Sequence, residues 1–102
     1  MTEELRLSKS ALRLIALFAQ DPTQKWSGAE ITREIGMGAG TLYPLLYKFE
    51  TAKWLIPEWE NIDPREEGRP RQRYYRLSAN GARRAHQALD VFQIPGRLAW
   101  NS

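Results

Sequence analysis

The stretch Ser27-Gly28-Ala29-Glu30-Ile31-Thr32-Arg33-Glu34-Ile35-Gly36-Met37-Gly38-Ala39-Gly40-Thr41-Leu42-Tyr43-Pro44-Leu45-Leu46-Tyr47-Lys48-Phe49-Glu50 decides the fold. It opens on an S-x-x-E capping box, in which serine and glutamate side chains each satisfy an orphan amide of a first helical turn. A short helix over about 28–35 follows, with Ile31 and Ile35 one turn apart on its inner face. Gly36 is placed to end it in the left-handed conformation. The tract Gly36-Met37-Gly38-Ala39-Gly40 lacks a preceding strand, the G-K-[S/T] ending of a P-loop and the full dinucleotide fingerprint. It reads as a tight turn. The next helix, over about 39–53, carries Leu42, Leu45, Leu46 and Phe49 at i, i+3, i+4 and i+7, which must face a core. Its other side presents Thr41, Pro44, Lys48 and Thr51, flanked by Tyr43 and Tyr47. Pro44 falls early in this helix, where a missing amide costs little. Two short helices about a glycine turn, the second with a polar outer face, are the sequence form of a helix-turn-helix.

On the N-terminal side, Leu7, Ala11, Leu14 and Phe18 recur at heptad-like spacing with Leu12, Ile15 and Ala19 beside them. That wide apolar stripe predicts a helix over about 8–20, stopped by Asp21-Pro22. On the C-terminal side, Trp54-Leu55-Ile56-Pro57-Glu58-Trp59-Glu60 reads as an edge strand, with Trp54, Ile56 and Trp59 as inward or cross-strand contacts. Residues 61–70, with Asp63-Pro64 and Gly68, read as a loop, and 71–77 as a second strand completing a hairpin. Ser78 is the N-cap expected of a final helix over about 79–93, whose stripe is Ala82, Ala85, Leu89 and Phe92. Pro95-Gly96 ends it. The order is helix, helix, helix, strand, strand, helix: a mainly α protein with a small β-hairpin, in winged helix-turn-helix arrangement. All 102 residues suit one domain and one core, with the helix-turn-helix and wing over 8–77 and a C-terminal dimerisation helix and tail over 79–100.

Charge is distributed unevenly behind a modest net +3. Between Trp54 and Glu67 the acids Glu58, Glu60, Asp63, Glu66 and Glu67 face a single arginine; between Gly68 and His86 there are arginines at 69, 71, 73, 76, 83 and 84 and no acid. Such polarity points to an anionic partner for one face. No apolar run approaches the roughly 18–20 residues that span a bilayer, so no membrane association is expected. Glu3 and Glu4 stand where a signal peptide needs basic residues. The absence of cysteine removes disulfides and thiolate zinc sites and is compatible with a reducing compartment. A cytoplasmic protein is therefore expected. The lone His86 sits beside Arg83 and Arg84 with no nucleophile at hand, and neither it nor the acidic run has metal-ligand spacing. The reading is of a protein that is not an enzyme and needs no metal or cofactor.

Binding double-stranded DNA uses what is present. Thr41, Tyr43 and Lys48 are positioned to offer a hydroxyl, a phenol and an ammonium to phosphates or base edges, although Lys48 equally suits an ordinary solvated lysine. In Gly68-Arg69-Pro70-Arg71 the glycine and proline hold a wing tip open while Arg69, Arg71 and Arg73 supply charge to a DNA backbone. Arg76 is expected instead to pair with Glu58 or Glu60 across the hairpin. Trp54 and Trp59 read as core or hairpin aromatics.

The blocks Thr41-Leu42-Tyr43-Pro44-Leu45-Leu46 with Phe49-Glu50, then Trp54-Leu55-Ile56, then Gly68-Arg69-Pro70-Arg71-Gln72-Arg73-Tyr74-Tyr75-Arg76-Leu77-Ser78 with Gly81, resemble the PadR family of bacterial winged-helix transcriptional regulators. The resemblance covers roughly 8–89. It implies a repressor whose third helix enters the major groove, with Thr41, Tyr43 and Pro44 at that helix's DNA-facing start and Arg69 and Arg71 in the wing. It also implies a homodimer through the first and last helices, which places Leu5, Leu7, Ala82, Ala85, Leu89, Phe92 and Trp100 at the dimer interface. Some relatives bind aromatic effectors at that interface, so a small aromatic effector joins the expected partners. Four features depart from the family pattern: Trp26-Ser27-Gly28-Ala29-Glu30-Ile31 replaces the usual opening of the second helix, Phe49 replaces the usual leucine, Thr51-Ala52-Lys53 replaces a Glu-x-Gly turn, and the last helix is short. Two other functions fit the residues: a winged helix modulating transcription through protein contact, and a nonspecific architectural DNA binder.

Overall fold

The computed structural model describes residues 7–92. Helix α1 spans Lys9–Gln20 and buries Ala11, Leu14, Ile15, Leu17, Phe18 and Ala19, the stripe expected from its spacing. Ser8 caps it by accepting the Ala11 amide on its hydroxyl at 3.1 Å. The helix stops at Asp21, whose carboxylate accepts from the amide and hydroxyl of Thr23 and so supplies the turn with local partners. Each fully buried side chain such as Leu14, Ile15 or Phe18 contributes about 1.5–3 kcal/mol relative to exposure. Helix α5, Ala79–Phe92, lies against α1.

Between these helices sit the helix-turn-helix and a sheet. Strand β1, Trp26–Ser27, leads directly into α2, Gly28–Ile35, and the capping box forms as expected: Ser27 Oγ accepts from the Glu30 amide and Glu30 Oε1 from the Ser27 amide. Gly36 closes α2 in the left-handed conformation at φ 69°. The Arg13 guanidinium donates to the Ile35 carbonyl, tying α1 to that helix end. Helix α3, Ala39–Thr51, buries Leu42, Leu46 and Phe49, with Leu45 half-buried. Helix α3 begins at Ala39, as its sequence predicts, so Pro44 lies in its second turn. Its missing amide leaves the Gly40 carbonyl without its i+4 donor. Gly40 is exposed, so water can take that place.

Strand β2, Leu55–Trp59, pairs antiparallel with β3, Arg73–Leu77, and β1 pairs with the other edge of β3, giving the order β1-β3-β2. Cross-strand partners share a face. Leu55 with Leu77, Pro57 with Tyr75 and Trp59 with Arg73 line the core side; Ile56 with Arg76 and Glu58 with Tyr74 line the outer side. Of the two roles expected of it, Ile56 therefore takes the cross-strand one, opposite Arg76 and away from the core. Trp54 is buried, but ahead of the strand. Trp59 lies on the core side yet runs past the core and is 60% exposed.

Two elements escaped the sequence reading. Strand β1 is two residues long and shows no alternation to detect. Within the expected loop lies a helical turn, α4, Pro64–Glu67, capped by Asp63, with proline at its first position and Gly68 closing it at φ 68°. Asp-Pro marks a turn and an N-cap followed by N1 equally well.

The C-terminal seam also needs correcting. Ala85 and Leu89, expected at a dimer interface, are completely buried within the chain and face α1, so no side-chain surface remains for a partner. Leu7 and Ala82 are half-buried against the same core. Leu5, Trp100 and the side chain of Phe92 lie outside the described residues. Among the described residues no helix is long and apolar enough to cross a membrane.

Lys53 occupies the position of the glycine in the resembled family's turn, and it is the only described non-glycine residue with positive φ, at 69°. An L side chain there is strained by about 1–2 kcal/mol. Lys53→Gly should therefore raise stability by about 1 kcal/mol in denaturant melts, less than the full strain because glycine also loosens the unfolded chain. An unchanged or lowered midpoint would show that the lysine side chain offsets the strain through interactions of its own.

Candidate nucleic-acid interface

The leucines that anchor α3 leave its opposite side free. Thr41, Pro44 and Lys48 are exposed, Tyr43 is 50% exposed and Tyr47 is 72% exposed. No acid lies among the exposed residues of α3; Glu50, in its last turn, is half-buried and held by Arg73 at 2.9 Å. The face thus combines hydroxyl and phenol donors with one ammonium. Tyr47 belongs to this face as fully as Tyr43, and its place one turn further on was the available signal.

Tyr43 leans from α3 across the start of α2. Its hydroxyl passes over the bare backbone of Gly28, where a Cβ would stand only 2.1 Å away. Beyond it a groove of about 330 Å³ runs between the start of α2, Tyr43 and the core side of the hairpin, with Trp59, Arg71, Gln72 and Arg73 along its far wall.

The wing arginines divide unexpectedly. Arg69 donates from both terminal nitrogens to Glu60, at 2.7 and 2.8 Å, and the Gln72 amide joins the same carboxylate at 3.1 Å. The Arg69 hydrogen bonds, followed by that from Gln72, hold the Glu60 carboxyl down from 4.5 to about 2. Its stabilising contribution is therefore present above pH 4.5 and disappears as the pH falls towards 2. Arg73 bonds Glu50 and stacks over Trp59 and Tyr75, at 5.5 and 5.6 Å from the ring centroids. Burial pushes the Tyr75 phenol above its ordinary value, so it remains neutral. Arg71 is exposed and, among the described residues, uses only Nε, donating to the Ile62 carbonyl. Its terminal nitrogens remain available to a ligand.

Arg76 reverses the expected pairing. It forms no ion pair among the described residues, and the register turns it outward opposite Ile56. Glu58, on that outer side, is taken by Lys25 at 3.4 Å, while Glu60 lies beyond the strand end within reach of Arg69. Alternation along β3 was the missed signal: Arg73 and Arg76 are three residues apart and face opposite ways.

The architecture has solved counterparts. The crystal structure of AbfR of Staphylococcus epidermidis aligns with a TM-score of 0.61 over 82% of this chain and 52% of that one, at 21% identity. A disulfide-formed AbfR gives 0.63 over 85% and 58%, also at 21% identity. A PadR family transcriptional regulator from Eggerthella lenta DSM 2243 gives 0.65 over 83% of this chain and 78% of that one, at 22% identity. The fold is a PadR-like winged helix. This chain spans just over half the length of the AbfR structures, and the disulfide-formed state of AbfR has no counterpart in a chain without cysteine. No family model matches the chain, and no curated protein matches it significantly. In this winged-helix arrangement α3 is the second helix of the helix-turn-helix and the β2–β3 hairpin is the wing.

Proposed function

We propose that the chain is a sequence-specific DNA-binding transcriptional regulator, a homodimeric repressor acting on a short inverted repeat. The observation that carries this reading is the acid-free exposed face of α3, with Thr41, Tyr43, Pro44, Tyr47 and Lys48 set beside an arginine-bearing wing. In this arrangement α3 lies in the major groove. Its N-terminal residues reach base edges, and the small residues Gly38, Ala39 and Gly40 let the helix start approach a phosphate. Arg71 holds the neighbouring backbone through its free terminal nitrogens, while Arg69 and Arg73 stiffen the wing and contribute field. A second copy is accommodated on α1, where Leu7, Leu12, Ala16 and Ile35 border an open apolar groove of about 670 Å³.

The test is a salt titration of binding to random duplexes and to duplexes selected from a random pool. A regulator of this kind binds selected sites at least about a thousandfold more tightly than random ones, with half-sites about one helical turn apart. Steep salt dependence without sequence preference would make the chain an architectural binder, and no duplex binding would leave protein contact as the function of the winged helix. In the same assay Arg71→Ala should lower the slope of log K against log[salt] by about 1 and weaken all duplexes alike. Arg76→Ala, on the outer face, should leave both quantities unchanged.

A further inference from the structure

Trp59 is an aromatic on the core side of the hairpin that the core does not use. Its partner in the register is Arg73, and the pair lies on the same side of the sheet as Leu55–Leu77 and Pro57–Tyr75, beyond the point where the core ends. The indole therefore faces the groove that runs to Tyr43 and the start of α2, while remaining 60% exposed. It is also held in place. The Arg73 guanidinium lies 5.5 Å from its ring centroid and is itself fixed by Glu50 of α3. A rigid, exposed indole between a recognition helix and a charged wing presents apolar area that loses little freedom on contact.

Resting on the DNA-binding reading, we infer that Trp59 is a DNA-contact residue, packing its ring on the deoxyribose and base edges of the minor groove beside the site of α3. Base faces in a duplex are covered by their neighbours, so an indole reaches sugars and groove edges first. Such a contact adds affinity without neutralising phosphate. It is thus separable from the arginine contacts by its salt dependence.

The experiment compares the wild-type chain, W59A and W59F on a duplex selected by the wild type, following affinity at several salt concentrations and tryptophan fluorescence. Expected are a loss of about tenfold or more for W59A, a smaller loss for W59F and a salt slope equal to that of the wild type. The fluorescence change on adding duplex should be present in the wild type and diminished in W59F, a readout that a merely structural role would not move. If W59A proves unstable, W59F alone carries both measurements. Wild-type affinity in W59A overturns the assignment of Trp59 while leaving DNA binding intact, and so does a fluorescence change undiminished in W59F. A reduced slope in W59A overturns it differently, by assigning the effect to the charge of a displaced Arg73. Failure of the wild type to select any duplex overturns both readings.

Discussion

Gly81→Ala should cost the fold at least about 2 kcal/mol and lower the melting temperature by about 8–16 °C. The cause is a backbone contact. A Cβ on Gly81 would stand 2.0 Å from the carbonyl oxygen of Trp54, 2.7 Å from its carbon and 2.8 Å from its Cα. None of these atoms can swing aside as a side chain does. Ser78, the N-cap anticipated for α5, fixes them further: its amide donates to the Trp54 carbonyl at 2.9 Å and its hydroxyl to the Lys53 carbonyl at 2.7 Å, while the Gly81 amide donates to that hydroxyl at 2.8 Å. Alanine is the better helix former by about 1 kcal/mol. That gain is outweighed by about 3 kcal/mol or more for forcing the start of α5 off the α3–β2 junction. Thermal melts followed by circular dichroism decide the matter; a midpoint within a few degrees of wild type would refute the steric argument.

The same junction explains why some of this fold was legible in the sequence and some was not. Helices announce themselves through spacing and caps: the Ser27–Glu30 box, the Leu42–Phe49 stripe and the Ser78 cap all formed where the residues placed them. Local chemistry was sufficient there. Ion pairing was not legible, because it depends on which face of a strand a residue occupies and where the strand ends. Arg69 and Arg73 reach Glu60 and Glu50, 9 and 23 residues away in sequence, while Arg76 lies on the side where Lys25 already holds Glu58. Nor could spacing separate an intramolecular seam from an intermolecular one. The Ala85–Leu89 stripe is equally suited to α1 of its own chain or to a partner, and the chain's own helix is nearer. On α3 the outward positions of Thr41, Tyr43, Pro44 and Lys48 followed from the leucines alone, since burying one helical face exposes the other.

Gly28→Ala should separate stability from binding in the opposite sense to Gly81→Ala. The added Cβ would lie 2.1 Å from the Tyr43 hydroxyl oxygen, 2.7 Å from Cζ and 3.1 Å from Cε1. All three belong to the far end of a half-exposed side chain, which can rotate away at small cost. The melting temperature should therefore move little. On the DNA-binding reading, however, the phenol leaves the position from which it reaches the duplex. A dissociation constant raised about tenfold corresponds to about 1.4 kcal/mol, the scale of one well-placed contact. The route of the effect is tested by a double-mutant cycle. If Gly28 acts only by leaving room for Tyr43, then Tyr43→Ala removes what the extra methyl would displace, and Gly28→Ala in that background has no further effect on affinity. Losses that simply add would assign Gly28 a direct role, with its bare backbone approaching a phosphate at the start of α2, where an added methyl keeps the DNA away. Coupling places the function of this glycine in the orientation of Tyr43, and the second helix then serves recognition by shaping the third.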